Sequence, residues 1–300
     1  MAVDVPLICF VLAQEAERSA RCNIVLADKK FFIYYCKLEI CRDSYFARSQ
    51  EREVTLLKDG ERIEKLSNDV SVIISKEHTF GTDTMLLADF SLPKKHEFAV
   101  EIGTGCGTIP LYWCSTTEVR KVFAIDIQEK ACSQLKRSIE MSHVEDKIEV
   151  LHADIKSPIP SITTHSCDLV VCNPPYKAVG CGIVNPDKEK RIARHEHECT
   201  IDDVTSCSRK LLNFWGRLCL CHRVERLCDV IESMRKNGIE PKKIRFVQQR
   251  KSSPAKLFLI EGKKGAKPGL ISLPTLFIEN DQGDLSDEMK RIYKYYGERL

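Results

Sequence analysis

The chain has 300 residues, 43% of them hydrophobic and 7% aromatic, with a formal net charge of +3. This is ordinary globular composition, long enough for one large domain or one domain with a modest extension. An apolar run at residues 5–13 is too short to span a bilayer and has Asp4 but no basic cluster before it. It does not read as a signal peptide, and a soluble, cytoplasmic protein is expected. The fifteen cysteines are scattered, with no CxxC pair, and Cys219 and Cys221 lie in an apolar run that reads as a buried strand. Reduced, mostly buried thiols and no metal site are the expectation.

Residues 1–53 carry no usable motif, although 30–40 has strand character; they are read as an N-terminal extension of unknown role. Residues 54–97 are expected to pack on the domain that follows, which runs from 98 to 296. There, short β-branched or apolar runs alternate with amphipathic stretches, the pattern of a parallel sheet covered by helices. Strands are predicted at 98–102, 121–126, 147–151, 168–172 and 217–222, and helices after Gly107 and at 128–141, 201–213 and 225–236. Residues 180–198 are expected to form a mobile loop. The runs 243–248 and 256–261 have no helix between them, so they should pair as an antiparallel edge. The fold class is therefore α/β, Rossmann-like, with a seven-stranded, mostly parallel sheet and one antiparallel strand.

Gly103, Gly105 and Gly107 follow a predicted strand and open a helix. Glycines let the backbone turn sharply and approach a ligand without Cβ collisions. The spacing is GxGxG, unlike the GxGxxG of nicotinamide sites, and a tight turn without a ligand has the same signature. Glu101, just before the turn, can act through structured water on a ligand amino group. Asp126 ends the second strand, where a carboxylate can accept both ribose hydroxyls of a nucleoside or cap the next helix. Asp154 follows the third strand and can accept from a base amino group, with Ile155 packing near the ring.

Asn173-Pro174-Pro175-Tyr176 is the most specific feature. It ends the fourth strand, at the edge of the crevice where open parallel sheets bind ligands. The side-chain oxygen of Asn173 and the carbonyl of Pro174 can each accept one N–H of a planar amino group. Those bonds fix the nitrogen and favour its growing positive charge as it attacks an electrophile. The prolines lock φ and hold the carbonyl in place, while Tyr176 offers a face for a base to stack on. An isolated Pro-Pro turn with Asn as turn former is the structural alternative.

Together, Glu101-Ile102-Gly103-Thr104-Gly105-Cys106-Gly107, Asp126, Asp154 and the Asn173-to-Tyr176 tetrapeptide resemble class I N-methyltransferases with an (N/D/S)PP(Y/F) signature. Phe80-Gly81-Thr82-Asp83 with Met85-Leu86-Leu87 narrows the resemblance to bacterial tRNA1(Val) adenine-37 N6-methyltransferases. So does Arg191-Ile192-Ala193-Arg194-His195-Glu196 with Arg223, Arg226-Leu227 and Met234-Arg235, particularly toward clostridial-type members. The resemblance covers about residues 54–296. It implies S-adenosyl-L-methionine as cofactor, held by Asp83, Glu101, Gly103, Thr104, Gly105, Gly107, Asp126, Ile127, Asp154, Ile155 and Asn173. It also implies N6-methylation of adenine beside a tRNA anticodon, with Asp83 helping to close the site. Cys106 stands where Thr is common, and Lys177 where many relatives carry an aromatic or other residue.

An RNA partner has weaker support from charge: residues 235–267 hold eleven basic residues and two acidic ones. His195-Glu196-His197 lacks a nearby third ligand and is read as loop rather than metal site. Three alternatives remain at this stage. A glutamine N5-methyltransferase of peptide release factors would suit the same tetrapeptide, but that family typically begins with a helical bundle. DNA adenine methylation has no target-recognition domain here. A catalytically silent RNA-binding or scaffolding protein would not need Asn173, Asp126 and the glycines together.

Overall fold

The computed structural model of the chain describes residues 56–174 and 199–293. The strand expected at 30–40, Pro175, Tyr176, Lys177, the loop through 198 and the stretch from Arg191 to His197 lie outside the described residues. The chain divides into a unit of residues 1–57 and a unit of residues 58–300. Every element below belongs to the second.

A hairpin comes first, β1 (Arg62–Lys65) paired antiparallel with β2 (Ser71–Ile74), followed by α1 (Thr82–Phe90). The main sheet then opens with β3 (Phe98–Ile102), α2 (Thr108–Thr116), β4 (Lys121–Asp126), α3 (Glu129–Met141), β5 (Ile148–His152) and β6 (Cys167–Cys172). After the undescribed stretch come α4 (Ile201–Leu211), β7 (Leu212–Arg223), a 3-10 turn, α5 (Leu227–Lys236), β8 (Ile239–Gln248) and β9 (Ala255–Lys264). Two-residue strands β10 (Ile271–Ser272) and β11 (Leu276–Phe277) and a last helix, α6 (Asp287–Ile292), close the described chain.

In space the strands run β5-β4-β3-β6-β7-β9-β8, with β10 and β11 both added to β8. β9 is antiparallel to β7 and β8, while the other pairs are parallel. The expected single antiparallel strand is present. Among the described residues the sheet has nine strands rather than seven, because β10 and β11 extend its edge. Neither could show a period-two pattern at two residues each, beside Gly269 and Pro274. Helix α4 ends at Leu211 rather than 213, since the chain enters β7 directly and Asn213 turns its amide onto Asp168.

Both faces of the sheet are covered, so the central strands are nearly continuous apolar runs whose successive residues enter opposite cores. Ala99, Leu169, Val171, Cys219 and Leu259 join one core with α1, α2 and α3. Val100, Val170, Leu218, Phe258 and Ile260 join the other with α4 and α5. Fully burying each such side chain contributes about 1.5–3 kcal/mol. Trp113 donates its indole N–H to the Ala88 carbonyl at 3.0 Å and so ties α2 to α1. Polar side chains of α3 grip the hairpin edge. Gln134 donates to the Ile73 carbonyl at 2.7 Å, and Ser138 accepts the Ile73 N–H at 2.9 Å. These satisfy backbone groups that would otherwise be buried without partners.

The order of the strands matters for function. From β3 the chain winds outward to β5 and then returns to place β6 on the other side of β3. That reversal opens a crevice beyond the carboxyl ends of β3 and β6.

Candidate active site

The turn after β3 is built by three glycines with left-handed backbone, Gly103 (φ 71°), Gly105 (φ 54°) and Gly107 (φ 81°). They serve different ends. A Cβ at Gly107 would lie 2.1 Å from Cδ1 of Leu135, so this glycine lets α3 pack against the turn. A Cβ at Gly103 or Gly105 would meet nothing within 4 Å. Their bare backbone instead faces open space, as a ligand cradle requires.

Asp126 ends β4 beside this turn and is buried. Its two carboxylate oxygens each accept one backbone N–H, from Gly105 at 2.8 Å and from Gln128 at 2.9 Å. The second bond is a local Asx turn at the start of α3, and the first fixes the carboxylate against the glycine turn. Asp126 does not cap α3, whose N-cap is Gln128 without a side-chain cap bond, and its carboxylate retains lone pairs for further donors. Ile127, next in the chain, is 46% exposed although apolar. The Ala153 N–H donates to the Asp126 carbonyl at 3.0 Å, which brings the segment after β5 alongside. In that segment Asp154 is half-buried and accepts the Lys156 N–H at 2.9 Å, and Ile155 packs on the second core.

Glu101 is 3% exposed at the end of β3 and accepts a hydrogen bond from the Thr104 hydroxyl. Burial pushes its carboxyl well above the ordinary value of 4.5; the Thr104 bond opposes this and nearby Asp126 adds to it. A buried carboxyl beside a cradle, with a hydroxyl and a second acid as neighbours, suits a cationic group of a ligand. The hydroxyl of Thr104 is turned inward to Glu101 and the residue is buried, so its contribution to the turn is to hold that acid.

On the other side of the crevice, Cys172 of β6 pairs with Ile102 of β3, which sets Asn173 opposite the start of the glycine turn. The Asn173 amide nitrogen donates to the Asp83 carboxylate at 3.3 Å and to the Thr84 hydroxyl at 3.1 Å. An ionised carboxylate only accepts, so the amide must present its NH2 there. Committing the nitrogen to α1 orients the amide oxygen the other way. Pro174 is buried, and the remaining half of the tetrapeptide, Pro175 and Tyr176, is outside the described residues.

The fold therefore brings two hydrogen-bonded pairs, Thr104 with Glu101 and Gly105 with Asp126, together at one turn, and joins Asp83 to Asn173 across 90 residues of chain. Thr84 is a member that sequence reasoning missed. It follows Asp83 directly, but a threonine in a helix's first turn carries no signal by itself. Among the described residues no three His, Cys, Asp or Glu side chains are grouped as a metal site, and no helix is long and apolar enough to cross a membrane.

Residues 65–185 match the family model described as "Methyltransferase small domain". The chain is 30% identical over 183 residues to the tRNA1(Val) (adenine(37)-N6)-methyltransferase of Parabacteroides distasonis, covering 60% of this chain and 75% of that relative. It is 28% identical over 216 residues to the protein of the same name from Trichodesmium erythraeum, covering 71% and 88%. Among solved structures, a predicted O-methyltransferase from Agrobacterium tumefaciens superposes with a TM-score of 0.57 at 17% identity, over 71% of this chain and 96% of that one. That last likeness is one of fold.

Proposed function

We propose that this chain, which belongs to the family of tRNA1(Val) (adenine(37)-N6)-methyltransferases, methylates N6 of an adenine in tRNA, at position 37 beside the anticodon. It is an S-adenosylmethionine-dependent methyltransferase. The observation that carries the substrate chemistry is Asn173, with its amide nitrogen held by Asp83 and Thr84 at the end of β6, facing a glycine cradle.

The residues present fit the cofactor. Gly103 and Gly105 leave room for it, Asp126 suits its ribose hydroxyls, Asp154 its adenine amino group, and Ile127 and Ile155 the faces of its ring. Glu101 suits its ammonium, whose charge would return the buried carboxyl to its ionised form. When bound, S-adenosylmethionine supplies a methyl group on a sulfonium, which leaves as a neutral thioether.

The chain's own residues do the rest. The Asn173 amide oxygen and the Pro174 carbonyl accept the two N–H bonds of the target amine. An adenine amino group is planar because its lone pair is delocalised into the ring. Two fixed acceptors draw positive character onto the nitrogen as the new N–C bond forms, which stabilises the transition state more than the ground state. One of the two N–H protons is then lost to solvent. Asp83 and Thr84 are positioning residues: they hold the amide that holds the amine. Tyr176 provides the stacking face for the base, and an anticodon-loop base is already unpaired, so splaying it out is cheap.

The test is a parallel assay of labelled S-adenosylmethionine with tRNA, peptide release factor and duplex DNA, followed by nucleoside analysis. N6-methyladenosine in tRNA is expected, and label in release factor alone would overturn the substrate. Asn173→Ala should lower turnover by about 10²–10³-fold with cofactor binding retained, the scale seen when one transition-state hydrogen-bond partner is removed. Unchanged turnover would remove Asn173 from the chemistry.

A further inference from the structure

Much of the positive charge that the sequence concentrates between residues 235 and 267 is neutralised in the fold. Arg235 pairs with Glu240, Lys236 with Asp202, Lys243 with Glu261, Arg245 with Glu288, Arg250 with Glu279 and Lys251 with Asp281. Among the described residues, Lys242, Lys256, Lys263, Lys264 and Lys267 have no carboxylate partner. All but Lys256 gather at one place, where β8 begins and β9 ends. Lys242 reaches the Lys267 carbonyl at 3.1 Å. Lys263 is opposite Arg217 of β7 and Glu240 of β8, whose carboxylate is held by Arg235, and Lys264 lies against the Leu212 carbonyl and 2.7 Å from Nδ1 of His165. Arg209 and Lys210 at the end of α4 are exposed beside them, likewise without a carboxylate, and the Arg209 guanidinium passes next to Gly238.

Two exposed aromatic side chains stand beside this cluster, where Phe214 lies over Gly265, between Lys264 and Lys267 in the chain. Phe214 is 65% exposed and Trp215 56%, in an edge-to-face pair with ring centroids 5.4 Å apart. They sit in a bulge. On β6 one residue separates Cys167 from Leu169, but on β7 four residues separate their partners Leu212 and Arg217. Trp215 has φ 69°, a left-handed conformation that a bulky side chain adopts only at a cost in free energy. Phe214 packs over Gly265, where a Cβ would lie 2.3 Å from its ring. No burial compensates this strain, since both rings face solvent.

Exposed aromatics among cations without acidic partners form the pattern by which proteins hold single-stranded nucleic acid, rings stacking on bases and cations meeting phosphates. A protein-docking surface shares the aromatics and arginine but is depleted in lysine, whereas lysines supply most of the cations here. We propose that this end of the sheet is a second RNA-contact surface: an unpaired stretch of RNA stacks on Phe214 and Trp215, with its phosphates on Lys263, Lys267, Arg209 and Lys210. The surface lies at the amino end of β6 and Asn173 at its carboxyl end, about 20 Å apart at the rise of a strand. One nucleotide cannot occupy both, so the RNA is one that extends well beyond its methylated base. The proposal rests on the reading that the enzyme acts on RNA.

The test uses a labelled oligouridylate of about a dozen nucleotides, long enough to cover such a site and without adenine to enter the methylation site. Of the two tryptophans in the chain, Trp113 is fully buried, so quenching by the oligomer reports on Trp215. The wild-type protein is expected to bind with quenching. Trp215→Gly suits the left-handed backbone, so its melting temperature and S-adenosylmethionine affinity should hold while oligomer affinity falls roughly tenfold. Lys263→Ala and Lys267→Ala should each lower the slope of log affinity against log salt by about 0.7. Equal oligomer affinity in wild type and Trp215→Gly, or no quenching at saturation, would overturn the proposal. So would self-association that Trp215→Gly abolishes without changing oligomer binding, which would make the bulge a protein-docking face. Oligomer binding is measured without cofactor or adenine, so failure of the tRNA-methylation assay and failure of this surface are separate results.

Discussion

Glu101 is the residue whose ionisation should be visible in stability. Its carboxyl is buried and held well above 4.5 in the folded chain, mainly by loss of solvent. The folded protein therefore keeps a proton that the unfolded chain has already released. Stability from this residue is fully present below about pH 4.5 and is lost as pH rises through the elevated folded value. Melting of the cofactor-free protein as pH rises above about 4.5 should show this decline, and Glu101→Gln, which cannot titrate, should flatten it. Equal pH slopes in the two proteins would show that Glu101 does not hold its proton. The same logic makes wild-type cofactor affinity rise with pH across that window, because an ammonium pairs with the ionised form. Of this group, Glu101 and Asp126 were legible from position alone, each at the carboxyl end of a predicted strand. The Thr104 contact was not, because a threonine in a glycine turn points either toward the ligand or back into the fold.

The three glycines look alike in sequence, and the turn separates them. Gly107→Ala would place a methyl group on Leu135 and force an L residue into left-handed backbone. A loss of about 1–3 kcal/mol is expected from overpacking and strain together. Leu135→Ala in the same chain should return part of it, so that the double variant is more stable than the sum of the singles. Gly105→Ala meets open space and carries only the backbone cost, roughly 1 kcal/mol, but should weaken S-adenosylmethionine binding more than Gly107→Ala does. Chemical denaturation and calorimetry of cofactor binding on the four variants check this; equal ranking on both measurements would sink the division. The strand-helix alternation from β3 to β6 was readable because each element has one apolar stripe or a continuous apolar run. The bulge in β7 was not. Asn213-Phe214-Trp215-Gly216 continues a β-rich run, and only the mismatch with β6 shows that it leaves the sheet.

Across the sheet, charge is also used to join distant parts of the chain. Arg217 is nearly buried in β7, 2.7 Å from Glu97 in the segment leading into β3 and 3.5 Å from Glu261 in β9. Lys243 of β8 reaches the same Glu261 at 3.2 Å. One guanidinium thus links the segment entering β3 to the antiparallel strand β9, through acids that are themselves buried or nearly so. A linear reading of charge credits each of these residues to a net total, and the structure shows why the total says so little. Removing Arg217 does more than lose attraction, because Glu97 loses its cation and Glu261 is left with Lys243 alone. Arg217→Met, which keeps much of the volume, should therefore cost about 3–5 kcal/mol, the scale for breaking one partner of a buried pair. If the cost is stranded charge rather than lost packing, Arg217→Met combined with Glu97→Gln and Glu261→Gln should recover a large part of it. Urea denaturation of the two proteins decides the matter. A triple variant no more stable than Arg217→Met would assign the arginine's role to packing.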